Sequence, residues 1–423
     1  MTDHRTLEPA SGPFKAGVNI PGDKSLSHRA LIFAALADGE SEITGLAPGF
    51  DVGSTLRALK RLGLRRDGDR FMPDATAVDP GQPIDCGNSG TTMRLLAGSL
   101  SALPFRVTLT GDASLSSRPM RRLVGPLGAL GADVALSPGG TAPMTVGAAP
   151  LRGADVAIDV ASAQVRSAFE LAAIQADGDS SVDSPAGYRD HTERWLETFG
   201  LGTSDGTVMQ VSPGPIPGAV YAIPGDPSSA AYVWASAALV AGARVVTPNV
   251  SLNPGRLGFL SILEAMGAEV HGEVTGTIHG DPIGTVSVAG SVLRAVEVSG
   301  DTVAAAIDEL PLVAVLGAYA EGITVVRDAG ELRVKESDRV VSTTAMIRGL
   351  GGGAEPTEDG FAVVGTGFLD GGTVDAAGDH RIAMAGAVAA TAAEGSVTIS
   401  GASVAGVSWP TFYDTMEAVW SSR

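Results

Sequence analysis

The chain is poor in cysteine, aromatic residues and lysine. Of its 423 residues, 5% are aromatic, one is cysteine (Cys86), and only Lys15, Lys24, Lys60 and Lys335 are lysine. A single cysteine excludes an intrachain disulfide framework and a CxxC metal site. With so few aromatic side chains and 56 glycines, we expect an interior of small aliphatic side chains in which helices pack closely on sheets.

The sequence also lacks long apolar runs and a positive balance of charge. No apolar run reaches the roughly 18 residues of a membrane span, and residues 1–20 lack the apolar core of a secretory signal. We therefore expect a cytoplasmic protein. The net charge of −18 opposes binding to nucleic acid or to an anionic membrane surface, although a small anion can still bind where basic residues converge.

Several common catalytic motifs are absent. There is no Walker loop and no convincing GxGxxG after a strand, so a nucleotide cofactor is not expected. Six histidines with one cysteine offer no zinc spacing, so no metal is expected, and the GxSxG elbow of serine hydrolases is missing. Acid–base chemistry without a cofactor, on anionic substrates, remains.

One pattern recurs six times along the chain, at intervals of about 70 residues. A polar cluster opens a helix of small apolar residues, and a more amphipathic helix follows after a β-like stretch. The polar clusters are marked by Lys24, Asn88, Gln164, Asp226, Asp308 and Asp379. The predicted second helices are DVGSTLRALKRLGL, RPMRRLVGPLGALGADV, HTERWLETFGL, GRLGFLSILEAMGAEV, KESDRVVSTTAMIRGLGGG and WPTFYDTMEAVW.

The local signals within this pattern are specific enough to test. Gly267 suits the end of the helix LSILEAM, and ARVVTP, GITVVRD and GSVTISG are typical of strands. Helices that are apolar on all sides must be buried, so we predict two α/β domains of about 200 residues with three such units each. A generic α/β protein whose alanine-rich helices resemble one another by composition is the alternative.

The polar clusters lie where helices begin, and a helix amino end binds phosphate or carboxylate groups through its free N–H groups and its partial positive charge. These clusters supply Lys24, Ser25, Arg29, Gly90, Ser162, Gln164, His380 and Arg381. Arg118 is predicted in a loop before a helix that begins near Pro119. The simpler interpretation of Ser25 and Ser162 is that they are helix caps.

Carboxylates accompany these basic residues. Lys335 and Arg339 are predicted to share one helix face with Glu336 at its edge, which places that carboxylate to exchange protons beside an anion. A solvated charged face is the alternative. Asp308 and Glu309 open an apolar helix, where a carboxylate usually complements the helix dipole and nothing more.

Eight motifs in this order, PGDKSLSHRA, GNSGTTMRLLAG, RPM, SAQVRSA, RDHTER, DELP, RVKESDR and GDHRIAMA, resemble those of the EPSP synthase family. The resemblance implies an α/β fold of two inside-out α/β barrel domains, built from six βαβαββ repeat units with three per domain. It implies one domain of residues 24–223 and another of residues 1–23 and 224–423. A double crossover near residues 21–24 and 224–226 would join them.

The resemblance also implies an activity. The enolpyruvyl group of phosphoenolpyruvate would pass to the 5-hydroxyl of shikimate 3-phosphate by addition and elimination, giving 5-enolpyruvylshikimate 3-phosphate and phosphate in chorismate and aromatic amino acid biosynthesis. No cofactor, metal, nucleic acid or membrane partner is implied, and a monomer is expected. Gly90, where a methyl group would crowd the phosphoenolpyruvate pocket, predicts sensitivity to glyphosate, which mimics that substrate in the family.

The site residues implied by the resemblance fall into three sets. Shikimate 3-phosphate would contact Lys24, Ser25, Arg29, Ser162, Ala163, Gln164, Asp308 and Lys335. Phosphoenolpyruvate would contact Lys24, Gly90, Arg118, Gln164, Arg339 and Arg381. The catalytic set would be Asp308, taking the hydroxyl proton, Glu336, serving C3, Lys24, assisting proton transfer, and His380, orienting the network.

The chain departs from the family pattern at Tyr188, where a serine is frequent before the Arg-Asp-His run, and at Ser117 and Val407, where a basic residue is common.

Two alternative functions remain open. The sister enzyme that acts on UDP-N-acetylglucosamine typically has a cysteine in the loop corresponding to GDASLSSRPM, whereas Cys86 lies before the NSG cluster. A non-catalytic repeat-built binding scaffold would need neither Asp308 nor Glu336.

Overall fold

The computed structural model describes residues 3–74 and 76–422 and has a mixed α/β fold. The α-helices in that part of the chain are α1 Lys24–Leu36, α2 Phe50–Arg61, α3 Gly90–Ser99, α4 Ala113–Ser117, α5 Val124–Ala129, α6 Ala163–Ala173, α7 His191–Thr198, α8 Pro227–Leu239, α9 Gly258–Met266, α10 Asp301–Ala305, α11 Leu310–Tyr319, α12 Arg339–Gly349, α13 His380–Ala389 and α14 Phe412–Trp420.

Short strands alternate with these helices. They are β1 His4–Leu7, β2 Lys15–Gly17, β3 Ser41–Thr44, β4 Arg65–Asp67, β5 Arg70–Met72, β6 Ile84–Asp85, β7 Arg106–Thr110, β8 Ala135–Leu136, β9 Met144–Gly147, β10 Asp155–Ala157, β11 Ser180–Asp183, β12 Gly202–Asp205, β13 Val208–Val211, β14 Val220–Ala222, β15 Arg244–Ser251, β16 Glu269–Ile278, β17 Asp281–Ala289, β18 Glu297–Val298, β19 Gly322–Val326, β20 Gly353–Pro356, β21 Phe361–Gly365, β22 Gly372–Asp375 and β23 Val397–Ser400. The strands ARVVTP, GITVVRD and GSVTISG predicted from the sequence are confirmed as β15, β19 and β23.

The strands form open sheets that share one order of pairing. The sheets are β14-β3-β5-β4, β6-β7-β9-β8, β10-β11-β13-β12, β2-β15-β17-β16, β18-β19-β21-β20 and β22-β23-β1. In each sheet the first strand of this order runs parallel to the second, and the third runs antiparallel to the second. The same supersecondary arrangement therefore recurs along the chain.

A parallel pair needs a crossover connection, and a helix supplies it in this fold. Helix α3 connects β6 to β7, α6 connects β10 to β11, and α13 connects β22 to β23. Two sheets have exchanged their first strands. Strand β2 is followed by α1 and β3 but pairs with β15, and strand β14 is followed by α8 and β15 but pairs with β3. The exchanged strands are those that directly precede residues 21–24 and 224–226.

The helices that open at the polar clusters, α1, α3, α6, α8, α11 and α13, are almost wholly buried, as their apolar composition predicts. Small residues allow close approach. A methyl group on Gly98 of α3 would lie 2.0 Å from the carbonyl oxygen of Ala168 of α6, so only glycine fits there. Within residues 3–74 and 76–422, no helix is both long enough and apolar enough to cross a membrane.

The second helices are present, but not all of them have the bounds predicted from the sequence. Gly267 ends α9 with a φ of 102°, as predicted. The segment RPMRRLVGPLGALGADV, however, is helical only as a 3-10 turn at Arg121–Leu123 and the short α5, because the glycines within it disfavour a longer helix. Residues Ala113–Ser117, expected in a loop, form α4.

The prediction for the segment RVKESDR was wrong in one respect. Helix α12 begins only at Arg339, because the carboxylate of Asp338 accepts hydrogen bonds from the backbone N–H groups of Val340 and Val341 and caps the helix there. Lys335 has extended backbone before this cap. Lys335 and Arg339 therefore do not share a helix face.

The chain divides into two compact units. We call residues Gly22–Ile223 with Thr277–Asp281 the first unit, and Met1–Pro21, Pro224–Gly276 and Pro282–Arg423 the second unit. In the second unit the core surrounds α8, α11 and α13, and in the first unit α3 packs against α1 and α6.

The segment Thr277–Asp281 owes its place in the first unit to a polar anchor. Asp281 is wholly buried, and its carboxylate lies 3.0 Å from Nδ1 of His191 and accepts a hydrogen bond of 3.2 Å from the indole N–H of Trp195. The ring of His279 lies against Trp195 and Tyr221. A carboxylate with no access to water depends on these donors.

We predict that Asp281→Ala destabilises the first unit by about 3 kcal/mol, because it leaves buried donors without their acceptor. Urea denaturation followed by circular dichroism measures the change. Glu273→Ala is the matched control, since Glu273 is exposed on the adjacent strand β16 and should change stability by less than about 0.5 kcal/mol. Equal unfolding midpoints for Asp281→Ala and the control would contradict the anchor.

Candidate active site

In the first unit, Lys24 is the first residue of α1. The side chain of Asp23 caps this helix by accepting from the backbone N–H of Leu26, so Ser25 is not the cap that the simpler interpretation made it. The ammonium of Lys24 lies 3.2 Å from the carboxylate of Asp51 and remains partly exposed. A cation at a helix amino end that keeps contact with solvent is suited to bind an anion.

Arg29, on the same helix, is only 3% exposed. Its guanidinium donates to the hydroxyls of Thr192 (2.8 Å) and Ser167 (2.8 Å) and to the carbonyl oxygen of Ser25 (3.1 Å). Burial lowers the pKa of Arg29 from its ordinary value, although the nearby carboxylates of Glu193, Asp281 and Glu170 act in the opposite direction. Arg29 thus holds α1, α6 and α7 together through neutral partners.

Gly90 opens α3 close to two arginines. A methyl group at this position would lie 2.8 Å from Nη1 of Arg94 and 3.5 Å from Nη1 of Arg118. Arg118 in turn donates to the side-chain oxygen of Asn88 at 2.6 Å. A side chain larger than hydrogen at Gly90 would therefore displace the guanidinium of Arg94.

Helix α6 brings Gln164 to the same place. Its side-chain oxygen accepts a hydrogen bond of 2.6 Å from Arg94, and its side-chain nitrogen donates to the hydroxyl of Thr91 at 2.8 Å. Ser162 occupies the N-cap position of α6, and Ala163 is the first residue of that helix, but the Ser162 side chain makes no capping hydrogen bond. The cap interpretation of Ser162 is therefore wrong.

The structure thus places Gly90 beside Arg94 and Arg118, with Gln164 hydrogen-bonded to Arg94. Tyr188, which departs from the family pattern, stacks on a different arginine: the Cζ atom of Arg166 lies 4.1 Å from the centre of its ring. Burial is the main cause that raises the pKa of the Tyr188 hydroxyl to about 12. Arg189 beside it is half-buried.

In the second unit, Arg339 is the centre of the predicted set. Its side chain is 1% exposed and binds three carboxylates, those of Glu336 at 2.6 Å, Asp379 at 2.8 Å and Asp308 at 3.1 Å. Burial alone acts to lower the pKa of Arg339, but the charges of these three carboxylates outweigh it and raise that pKa. Arg339 therefore stays charged and fixed.

Asp379 supports this arginine and starts the next helix. Its carboxylate also accepts from the backbone N–H of Arg381, which makes it the N-cap of α13. Burial acts to raise the pKa of Asp379, whereas Arg339 and His380 lower it, and the net result is a pKa below the ordinary value. Nδ1 of the buried His380 lies 4.0 Å from this carboxylate.

Arg381 lies in the same cluster but with longer contacts. Its guanidinium donates to the hydroxyl of Tyr232 at 3.4 Å and lies 3.6 Å from the carboxylate of Glu309 and 4.0 Å from that of Asp308. Burial acts to lower the pKa of Arg381, but Tyr232, Asp308 and Glu309 raise it well above the ordinary value. Two charged arginines thus lie beside Asp308.

Chemically, this cluster contains arginines that can bind an anion and carboxylates that can exchange protons. Arg339 connects Asp308 and Glu336, so two carboxylates that can carry protons lie around one guanidinium. Lys335, half-buried, precedes Glu336 directly in the chain. Among the described residues, no group of three or more His, Cys, Asp or Glu side chains could hold a metal ion.

Sequence reasoning missed several members of the two sets. Arg94 follows Gly90 by four residues on α3, a spacing that places both on one helix face and could have signalled it. Asp379 was noted only as a marker of the repeat, although an Asp before an apolar helix is a typical cap. Tyr232 lies in the middle of α8 and carries no local signal, because only the fold brings it to Arg381.

Comparisons with known proteins are consistent with this geometry. The family model described as EPSP synthase (3-phosphoshikimate 1-carboxyvinyltransferase) matches residues 9–416. Among curated relatives, the 3-phosphoshikimate 1-carboxyvinyltransferase of Bacillus cereus is 39% identical over 98% of both chains, and that of Brevibacillus brevis is 40% identical over 95% of this chain and 96% of its own. A solved EPSP synthase from Acinetobacter baumannii superposes with a TM-score of 0.87 at 37% identity, covering 99% of this chain and 98% of that one.

We predict that Asp379→Asn lowers the free energy of unfolding by about 3 kcal/mol at pH 7, because Arg339 loses a buried counter-charge. The native pKa of Asp379 lies below its ordinary value. Its stabilising contribution is therefore complete above the unfolded pKa of about 3.9 and is lost as the pH falls through the native value.

Urea denaturation at a series of pH values from 7 to 3 tests this expectation. The difference between the wild type and Asp379→Asn should narrow as the solution becomes acidic. Asp375→Asn is the control, since Asp375 is exposed four residues earlier. A difference that is independent of pH, or equal to that of the control, would refute the assigned role of Asp379.

Proposed function

Since the chain belongs to the EPSP synthase family, we propose that it transfers the enolpyruvyl group of phosphoenolpyruvate to the 5-hydroxyl of shikimate 3-phosphate, with release of phosphate. The observation that carries the proposal is the buried Arg339, which contacts both Asp308 (3.1 Å) and Glu336 (2.6 Å). One guanidinium holds the two carboxylates that the reaction needs. The family match over residues 9–416 supports the same activity.

The proposal includes the finer architecture of the family. The recurring sheets and their helices are taken as six βαβαββ units, three in a domain of residues 24–223 and three in a domain of residues 1–23 and 224–423, each an inside-out α/β barrel. The shared pairing order of the sheets supports this assignment. The exchange of β2 and β14 between sheets supports a double crossover near residues 21–24 and 224–226.

The phosphoenolpyruvate contacts proposed in the first unit are Lys24, Gly90, Arg118 and Gln164. Gln164 is supported by its hydrogen bond from Arg94, and Gly90 by its position beside Arg94 and Arg118. Lys24 is supported by its partly exposed ammonium at the start of α1. The second unit contributes Arg339 and Arg381. These arginines would stabilise the charge that is redistributed in the tetrahedral intermediate.

The shikimate 3-phosphate contacts proposed are Lys24, Ser25, Arg29, Ser162, Ala163, Gln164, Asp308 and Lys335. Ser162 is supported by its N-cap position on α6, where its hydroxyl makes no capping bond. Arg29 is firmly held by the protein, since it donates three hydrogen bonds to neighbouring residues. We propose that it fixes Ser25 as well as contributing positive charge.

The reaction proposed is addition followed by elimination. The 5-hydroxyl attacks C2 of phosphoenolpyruvate while Asp308 takes the hydroxyl proton. In the same step, protonated Glu336 donates a proton to C3. Phosphate then leaves C2 as C3 loses a proton to Glu336, which restores the double bond. Lys24 assists proton transfer at the hydroxyl and at the departing phosphate, and His380 orients the network through Asp379.

The same proposal takes the enzyme to act as a monomer in the cytoplasm, without a metal, a nucleic acid or a membrane partner. The net charge of −18 supports the absence of nucleic acid and anionic membranes as partners, because it repels both. Each unit nevertheless has a local group of basic residues, and small anionic substrates can bind there despite the negative net charge.

We expect the purified chain to release phosphate when it is given phosphoenolpyruvate and shikimate 3-phosphate together, and not with either alone. Replacing the acceptor by UDP-N-acetylglucosamine should give no phosphate. Glyphosate should inhibit the reaction, because Gly90 leaves the space beside Arg94 and Arg118 open. Unchanged phosphate release at a saturating glyphosate concentration would refute the inhibitor prediction, and no release with either acceptor would refute the function.

We predict that Glu336→Gln lowers kcat by about 10²–10⁴-fold, the usual range for loss of a general acid or base. The amide keeps the shape of the side chain and can still accept from Arg339, and Glu336 is more exposed than Asp379 (20% against 0%), so stability should fall less than in Asp379→Asn. Glu331→Gln serves as the control because Glu331 is exposed in the same segment. Turnover of Glu336→Gln within a few fold of the control would remove Glu336 from the mechanism.

A further inference from the structure

The two arginines of the second-unit cluster differ in how well their donors are satisfied. Arg339 makes hydrogen bonds of 2.6–3.3 Å to three carboxylates. The side-chain contacts of Arg381 are 3.4 Å or longer, and its Nε has no hydrogen-bond partner among the described residues. A buried hydrogen-bond donor without an acceptor is rare in folded proteins and can mark a functional group.

Glu309 is the other member of the cluster with an unused polar atom. It is 4% exposed, and its Oε1 lies 3.6 Å from Nη1 of Arg381 without a hydrogen-bond partner in the described part of the chain. Glu309 occupies the N-cap position of α11, but its side chain makes no capping hydrogen bond.

A buried carboxylate needs a nearby cation, because an unpaired charge is costly in a medium of low polarity. Within residues 3–74 and 76–422, Glu309 forms an ion pair only with Arg381. The pair is close enough to attract but too long for a good hydrogen bond. Glu309 therefore neutralises Arg381 without using its donors.

We propose that Glu309 competes with anionic substrate for the guanidinium of Arg381, and so sets how tightly phosphoenolpyruvate is held and how readily phosphate leaves. The inference rests on the proposed function, which takes Arg381 as a phosphoenolpyruvate contact. When no anion is present, Glu309 balances the charge of Arg381. When an anion arrives, Nε is available to it, but the carboxylate of Glu309 repels it.

The competition is tested with Glu309→Gln, which keeps the shape of the side chain and removes its charge. We expect the Kd for inorganic phosphate, measured by calorimetry, and the KM for phosphoenolpyruvate each to fall by about fivefold, the effect of removing one like charge several ångströms from the ligand. The KM for shikimate 3-phosphate at saturating phosphoenolpyruvate should stay within about twofold. A positioning role in which Glu309 aims Arg381 at the ligand would raise both constants instead.

Matched variants separate charge from shape. Glu309→Asp keeps the charge, so its phosphate Kd should stay near that of the wild type, and Glu321→Gln, exposed beyond the other end of α11, is the surface control. If Glu309→Gln does not fold, Glu309→Met, apolar and of similar length, takes its place with the same expectation. Unchanged or weaker phosphate binding in a folded, uncharged variant would overturn the proposal.

Failure of this proposal can be told apart from failure of the proposed function. Phosphate titration needs no turnover, so it reports on the competition even if the wild type releases no phosphate from its two substrates. A wild type that is active but whose phosphate affinity is insensitive to the charge at Glu309 refutes only the competition. A wild type that binds no phosphate at any concentration also overturns it.

Discussion

The buried guanidinium of Arg339 is the constraint on which the second unit depends. Taking an arginine out of water is tolerable only when counter-charges meet it with good geometry. Here the three carboxylates come from three places: Asp308 just before α11, Glu336 just before α12, and Asp379 at the cap of α13. Helices α11 and α13 are otherwise apolar, and apolar contacts alone tolerate small slips. The ionic cluster therefore fixes where the helices begin relative to one another, and the proposed catalytic residues lie at these helix starts.

In the first unit, the donors of the buried Arg29 and of Arg94 are satisfied by neutral groups. Arg29 is held by the hydroxyls of Ser167 and Thr192, and Arg94 by the amide oxygen of Gln164. Hydroxyl and amide oxygens satisfy these donors without placing a negative charge in direct contact with the guanidinium. The two sets of arginines therefore differ in the groups that contact them: neutral oxygens around Arg29 and Arg94, and carboxylates around Arg339.

Much of this arrangement could be predicted from the sequence because its signals are local. The polar openings of α1, α3, α6 and α13 and the glycine end of α9 each depend on a few neighbouring residues. The placement of Lys335 failed because a stronger local rule, the Asp338 cap, starts α12 four residues later. The partner of Glu309 could not be found from the sequence at all, since Arg381 is distant in the chain and only the packing of α11 against α13 brings the two together.

A chain with net charge −18 that accepts anionic substrates needs a reason why its own carboxylates do not exclude them. In the second unit, Arg339 and Arg381 are surrounded by the carboxylates of Asp308, Glu309, Glu336 and Asp379. In the proposed function, these carboxylates neutralise the two arginines when no anionic substrate is bound. In the proposed reaction, a bound anion that takes donors of Arg339 releases Asp308 and Glu336 from ion pairing. The groups that move protons then become available only when substrate is present, and binding energy is used to prepare the catalytic groups rather than only to hold the ligand.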